Sequence, residues 1–454
     1  MDLKIDKKIF RAYDVRGIYP YQINEKTAYL LGRAFGRFLG PRKTDVALGR
    51  DNRLSSPVLF KAVKKGLLQE GIRVFDIGLS TTPILYFSVA HFGYNGGIEV
   101  TASHLSGEWN GFKLVGKGAF PIGQKSGLKE IQQLIEKIKP SRKKGKVVKK
   151  KVLQEYIKFN FEDLNLELLR SLRVVIDTGN SVPGILIPFL KKNLPIIKIF
   201  SLFEKLDGNF PNHGTDPLTE ENIACLKAEV RRKKAAFGVA FDGDGDRIVF
   251  VDEKGKRVPG DLILALVGQD ILEKYPGARI LYDIRSSNAV REVIKNAGGI
   301  PVVSRIGHSF IKAKMRKEDI LFGGEFSGHY YSKRHYFCEA PIFVLLKVLE
   351  VVSKKGVSLS QLIKPFKRYF HSGEINFPVK NKEKVLAVFE KRYKKGKISR
   401  LDGLRVDFNN WWFLLRSSNT EPLLRLVIEA KTKELFQKKK KELVSLIRQT
   451  ERSN

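Results

Sequence analysis

The segment Asp242-Gly243-Asp244-Gly245-Asp246-Arg247 sets three carboxylates at alternate positions, separated by glycine. Glycine permits a tight backbone, and every second side chain shares a side, so the three carboxylates can converge on one hard cation. Apolar runs at 237–241 and 248–251 lead into and out of the segment. Three carboxylates that leave room for a phosphate oxygen suit Mg²⁺. A calcium loop is the rival, because Asp242, Asp244 and Asp246 fall on its first, third and fifth positions and Glu253 on its twelfth. Against it, Arg247 stands where the sharp turn needs glycine, and strands flank the loop where helices should. A bland acidic turn is the remaining alternative.

Three further segments carry weaker signals. Thr101-Ala102-Ser103-His104 follows an apolar run at 97–100, and Asn110-Gly111-Phe112-Lys113 comes shortly after. Ser103 could act as nucleophile or phosphate carrier, although the flanking glycines of a hydrolase elbow are missing and most loop serines are structural. Gly323-Gly324-Glu325-Phe326-Ser327-Gly328-His329 follows a run at 320–322. Glu325 and Ser327 could grip neighbouring sugar hydroxyls and His329 could shuttle a proton; alone, the segment also reads as a turn with an incidental histidine. Arg416-Ser417-Ser418-Asn419-Thr420-Glu421-Pro422 gathers hydroxyls, an amide and a guanidinium in one short loop, which makes a phosphate cradle or an ordinary polar loop.

Elements able to position such loops recur along the chain. Three times an apolar strand ends in aspartate and leads through a polar loop into a helix and another strand. The first, VALGRDNRLSSP, predicts a helix at 58–70 and a strand at 72–76. The second, VVIDTGNSVPG, predicts a helix at 185–192 and a strand at 196–200. The third, ILYDIRSSNAV, predicts a helix at 290–297 and a strand at 300–303. The alternation argues for three related α/β domains with open sheets rather than a solenoid. The tail instead predicts strands at 374–379, 404–408, 412–416 and 423–429, with helices at 382–392 and 433–447, a small C-terminal α+β domain. The expected domains are 1–150, 151–253, 254–367 and 368–454, and the Lys-rich stretch 141–151 reads as a linker.

The chain has 454 residues, 43% of them apolar, as in globular proteins. No run of 18 apolar residues exists, and Met1-Asp2-Leu3-Lys4-Ile5-Asp6 lacks an apolar signal core. Only Cys225 and Cys338 are present, without metal-type spacing. A cytoplasmic protein without a membrane partner is expected. Lys plus Arg is 83 and Asp plus Glu 48, a net charge of +35. Such a field attracts anions of every kind, from nucleic acid to phosphorylated metabolites. Lys438 to Lys441 lie on a predicted helix, where a solvated face is the simpler reading than a nucleic-acid site.

Taken together and in this order, the four segments resemble the α-D-phosphohexomutase superfamily, the phosphomannomutase/phosphoglucomutase enzymes. The resemblance begins at Phe10-Arg11-Ala12-Tyr13-Asp14-Val15-Arg16-Gly17, includes Gly49-Arg50-Asp51 and ends at the 416–422 loop. It implies four domains around a central active-site cleft and a hexose phosphate as substrate. It makes Ser103 a phosphoserine beside His104, with Asp242, Asp244, Asp246 and a Ser103 phosphate oxygen around Mg²⁺. Arg16 and Arg247 would neutralise phosphate charge, and Lys113 would contact phosphate and transfer a proton. His308 and His329 would be active-site histidines, Tyr13 and Arg285 substrate contacts, and Glu325 and Ser327 the sugar readers. Arg416, Ser418, Asn419 and Thr420 would hold the non-reacting phosphate. The phosphoserine would give its phosphate to the sugar, and the hexose 1,6-bisphosphate would turn over and return its other phosphate.

The sequence departs from that pattern where Leu105 and Ser106 replace the usual Asn-Pro, where Trp109 replaces a usual Tyr, and at Cys338-Glu339-Ala340-Pro341. Phe326 is apolar, as in members acting on mannose and glucose phosphates. Phosphoglucosamine mutase is the alternative within the same chemistry. A catalytically silent basic binding protein is the alternative of another class. A monomer or homodimer is expected.

Overall fold

A computed structural model describes residues 5–40, 44–141, 143–417 and 423–452. The first three sheets share one plan. Each has three parallel strands with the first strand in the middle, followed by a fourth, antiparallel strand. In the first sheet Asp45–Arg50 lies between Arg73–Leu79 and Gly96–Val100, and Trp109–Gly116 turns back beside Gly96–Val100. In the second, Leu172–Asp177 lies between Ile197–Leu202 and Phe237–Phe241, and Ile248–Asp252 turns back. In the third, Arg279–Asp283 lies between Ile300–Ser304 and Phe322–Gly324, and Tyr330–Ser332 turns back. The connection from third to fourth strand is thus the same corner three times, and it carries Ser103, the triple aspartate and Glu325 respectively. The fourth sheet is antiparallel, and its Trp411–Ser417 and Leu423–Ala430 hairpin flanks the 418–422 segment.

The middle strands are buried on both faces, so they read as unbroken apolar runs rather than alternating ones. Val174, Val175 and Ile176, for example, are all at most 1% exposed. One apolar core runs from Ile84 and Phe87 through Leu190 and Phe237 to Leu264 and Leu346, so it crosses all three α/β units. The helix expected at 382–392 is found as Lys382–Arg392, capped by the Asn381 side chain, which accepts from Lys384 N. The helix expected at 433–447 continues to Arg452.

Two expectations are corrected. Lys146–Lys149 is not linker but a strand, added parallel to Arg73–Leu79 at the edge of the first sheet. Both its faces are exposed, Val147 at 44% and Val148 at 38%, so no hydrophobic alternation marks it. The strand expected at 320–322 runs instead over Phe322–Gly324. Its glycines bring it close to its neighbours: a Cβ on Gly324 would lie 2.9 Å from Tyr330 Cδ1.

The second and third units are latched by His335, which is buried and whose Nε2 lies 3.1 Å from Asn160 Oδ1. Arg334 beside it donates to Phe159 O at 2.6 Å and lies over that ring. Burial, with help from the Arg334 cation, pushes the His335 pKa down from 6.5 to about 3. A histidine held neutral in the fold contributes stability above its unfolded pKa, and that contribution is lost as pH falls from 6.5 towards 3. At pH 5 the loss is about 2 kcal/mol. The drop in unfolding free energy between pH 7 and pH 5, followed by denaturant titration, should therefore be smaller by about that amount in His335→Gln. An identical drop would contradict this.

Candidate functional site

The turn after Gly96–Val100 places Ser103 in a left-handed backbone conformation, φ 55°, uncommon for a residue with a Cβ. Ser103 N donates to Thr101 Oγ1 at 2.9 Å, and Ser103 Oγ donates to Asp242 Oδ2 at 2.9 Å. The first and second sheets thereby meet at the serine. The approach is close enough to require glycine at 243, since a Cβ there would stand 2.2 Å from Ser103 O. His104 Nδ1 is 3.4 Å from Ser103 Oγ. Burial, then Arg247 and Arg16, hold His104 well below the usual histidine range, so it is neutral at pH 7.

The aspartate loop is a tight turn organised by its own first residue. Asp242 Oδ1 accepts from Asp246 N at 3.0 Å and Arg247 N at 3.1 Å. Asp244 reaches into the first unit, where Thr82 N donates to its carbonyl at 2.9 Å and Thr82 Oγ1 to its Oδ2 at 2.6 Å. Lys113, on Trp109–Gly116, sets its ammonium between Asp244 Oδ2 at 2.6 Å and Asp246 Oδ2. Burial and the charges of Asp246 and Asp244 push Asp242 well above the carboxylate range. Burial acts the same way on Asp246, but Lys113, His329 and Arg247 outweigh it and hold Asp246 well below. Burial opposes the Lys113 charge, and the two aspartates more than offset it, so the ammonium stays protonated.

Oxygen atoms of Asp242, Asp244 and Asp246 all lie within 4.8 Å of one another, and all three residues are buried. Clustered hard oxygens, two of them (Asp244 Oδ1 and Asp246 Oδ1) buried without a hydrogen-bond partner among the described residues, fit a divalent cation. The calcium-loop reading fails at its twelfth position. Glu253 turns away from the loop and accepts from Ser360 N at 3.1 Å, and strands flank the segment.

The third corner brings in Glu325, Ser327 and His329. His329 Nε2 accepts from Arg247 Nε at 3.2 Å and lies 3.2 Å from Asp246 Oδ1. Its Nδ1 is 3.1 Å from Ser327 Oγ. Glu325 accepts from Tyr331 OH. Arg285 donates to Asp283 Oδ2 at 2.7 Å and reaches Glu325 Oε2 at 3.5 Å and Glu374 Oε2 at 3.3 Å. His308 begins the helix His308–Lys317, with the Tyr13 ring edge-on at 5.4 Å. Burial, then Lys312 and Lys113, lower the His308 pKa well below 6.5. Arg16 pairs with Asp14 at 2.7 Å on the strand beside Trp109–Gly116.

Arg416 lies at the end of its strand, buried, 3.6 Å from Glu374 Oε1 and 3.7 Å from Asp402 Oδ2. Ser418, Asn419 and Thr420 lie outside the described residues. The other expected site residues come from three sheets to one region centred on Ser103, Lys113 and the aspartates. Sequence reading missed Arg53, Thr82 and Glu374. For Arg53 a signal existed in the spacing Asp51-Asn52-Arg53, directly after a strand.

The chain matches four models that together cover most of its length. They are phosphoglucomutase/phosphomannomutase alpha/beta/alpha domain I at residues 7–142, domain II at 154–255 and domain III at 259–369, and the C-terminal domain at 374–446. The chain belongs to the phosphoglucomutase/phosphomannomutase family. Among its relatives, the phosphomannomutase of Vibrio cholerae is 39% identical over 97% of this chain and 98% of that protein. The phosphomannomutase/phosphoglucomutase of Pseudomonas syringae is 37% identical over 93% and 91%. The crystal structure of a family member from Burkholderia thailandensis superposes with a TM-score of 0.90 at 30% identity, covering 98% of both chains. Among the described residues no helix is long and apolar enough to cross a membrane.

The cation reading has a direct test. A ligand at 100 times its Kd stabilises a fold by about 2.7 kcal/mol. Saturating MgCl₂ should therefore raise the Tm of the wild type, and Asp244→Asn should abolish most of that rise. Equal rises in both proteins would place the cation elsewhere.

Proposed function

We propose that this chain is a phosphohexomutase that interconverts the 1- and 6-phosphates of mannose and glucose through a phosphorylated Ser103. The observation that carries this reading is the contact of Ser103 Oγ with the aspartate loop of a second domain, with Lys113 at the same carboxylates. The names of the relatives support it.

In this reading Asp242, Asp244, Asp246 and an oxygen on Ser103 hold Mg²⁺, which supplies positive charge where phosphoryl transfer develops negative charge. Lys113, Arg247 and Arg16 add fixed cations around the same phosphate. Glu325 and Ser327 orient the sugar ring. Arg416, with Ser418, Asn419 and Thr420, holds the phosphate that does not react. In the forward step the sugar hydroxyl attacks phosphorus, the bond from phosphorus to Ser103 Oγ breaks, and the hydroxyl proton leaves to a base. His329, whose Nδ1 lies 3.1 Å from Ser327 Oγ on the sugar-reading loop, is assigned that role. His104 and His308, both held neutral, stand at the site without adding charge. The hexose 1,6-bisphosphate then turns over, and its other phosphate returns to Ser103, so one cradle serves both orientations. Site closure by the C-terminal domain keeps water from the phosphoserine.

The domain divisions at 150, 253 and 367 and a cytoplasmic location belong to this same reading. Phe326, whose ring is 5.2 Å from that of His371, gives the sugar loop an apolar side chain, consistent with mannose and glucose rather than an amino sugar. Purified protein with Mg²⁺, glucose 1-phosphate and a trace of glucose 1,6-bisphosphate should form glucose 6-phosphate. EDTA should stop the reaction, and Ser103→Ala should lower the rate by about 10³-fold or more. A rate that survives Ser103→Ala would overturn the reading. Faster turnover of glucosamine 1-phosphate than of the mannose and glucose substrates would overturn the sugar assignment.

A further inference from the structure

Beneath the Ser103 turn lies Arg53, wholly inaccessible to solvent. A guanidinium has five N–H donors in a rigid fork, and here each finds an acceptor. Nε pairs with Asp51 Oδ2 at 3.1 Å. Nη1 donates to Ser106 O at 2.5 Å and Trp109 O at 3.1 Å. Nη2 donates to Ser103 O at 2.7 Å and Leu105 O at 2.6 Å. Four carbonyls within seven residues of chain are thus turned inward onto one side chain. Such a loop cannot hold this shape by itself. Residues 101–108 contain no proline, their one glycine is Gly107, and Ser103 is in the left-handed region. An isolated chain would relax from that conformation, so the strain must be opposed by the surroundings.

The support is itself fixed. Asp51 accepts from Arg53 N at 3.0 Å and from Ser56 Oγ, and Asp51 N donates to Val100 O at 3.0 Å. The Phe210 ring covers the guanidinium at 5.3 Å, and Thr215 Oγ1, on the same covering segment, donates to Leu105 O at 3.0 Å. One of these bonds ends on the carbonyl of Ser103, the residue whose Oγ meets Asp242.

We propose that Arg53 is the positioning residue of the nucleophile: its saturated guanidinium fork imposes the left-handed turn that aims Ser103 Oγ at the aspartate loop. The role rests on Ser103 being the phosphate carrier. Lysine in its place would keep the pair with Asp51 but offer three donors without the planar fork. Alanine would take the guanidinium donors from all four carbonyls, leaving Leu105 O only Thr215 Oγ1 and Ser106 O only Trp109 N.

The test compares wild type, Arg53→Lys and Arg53→Ala at 10 °C, well below their unfolding transitions. A misaimed nucleophile costs about 10²-fold. Both variants should therefore lose about 10²-fold or more in kcat while KM changes by less than about 3-fold, because the sugar and distal phosphate contacts lie on other loops. Added guanidinium ion should restore about 10-fold or more of the loss in Arg53→Ala and do nothing for Ser103→Ala. A folded Arg53→Lys with kcat near wild type, or no rescue in a folded Arg53→Ala, would overturn the inference. A crystal structure of Arg53→Lys gives a readout independent of turnover and of whether the alanine variant folds. Ser103 should leave positive φ and lose its contact with Asp242; an unchanged Ser103 would overturn the inference even if the wild type is an active mutase. If the wild type has no mutase rate while the Arg53→Lys serine moves, the functional reading fails and Arg53 is left as the residue that sets the Ser103 turn, without a nucleophile to position.

Discussion

Three carboxylates buried within 4.8 Å of one another set the terms for the rest of this molecule. Asp242 and Asp244 are wholly inaccessible and Asp246 is 4% exposed, so water cannot spread their charge. Buried like charges must be protonated, paired or bound to a cation. The fold answers with two cations, Lys113 from the first unit and Arg247 from the aspartate loop itself, and sets the His329 imidazole of the third unit 3.2 Å from Asp246 Oδ1. Lys113 and His329 could not reach if their units were rotated or shifted by a few ångströms. The electrostatic demand therefore fixes how the three α/β units face each other, and the apolar core they share supplies the rigidity to keep them there.

Repetition of one topology makes that convergence possible. Each unit presents the same corner, where the third strand hands over to the antiparallel fourth. The first corner offers a hydroxyl, the second carboxylates, and the third a carboxylate, a hydroxyl and an imidazole. The fourth domain is built differently, yet it too presents a hairpin, with Arg416 at the end of its first strand. Its seating on the third unit is explicit. Trp412 Nε1 and Asn288 N both donate to Glu429 Oε1, at 2.8 and 2.9 Å, and Trp412, Leu414 and Val427 pack on Ile284.

Much of this was legible in the sequence because burial on both faces leaves a plain mark. The strands leading to Asp51, Asp177 and Asp283 read as apolar runs ending in aspartate, and aspartates alternating with glycine point to a cation more than to an ordinary turn. Legibility failed where the deciding physics is long-range. Lys146–Lys149 looked like linker because an edge strand exposed on both faces needs no apolar pattern. The spacing Asp51-Asn52-Arg53 after a strand marks Arg53 out, but its task stayed hidden, since nothing local says that four carbonyls from residues 103–109 will turn towards it. Glu374 was not singled out either, although it lies within 3.9 Å of Arg285, Arg416 and Arg425. The replacement of Asn-Pro by Leu105 and Ser106 weighs less in the structure than in the sequence. The loop is tied to Arg53 through the carbonyls of those residues, which any side chain supplies.

The central claim is that Ser103 carries the phosphate between two positions on a sugar. Its most direct test is to incubate the protein with Mg²⁺ and hexose 1,6-bisphosphate labelled with ³²P, digest it, and locate the label by mass spectrometry and radiography. The account predicts one labelled peptide, phosphorylated at Ser103, whose label is chased out by unlabelled hexose monophosphate. Label at another residue, or none on a protein that still converts substrate, would contradict it.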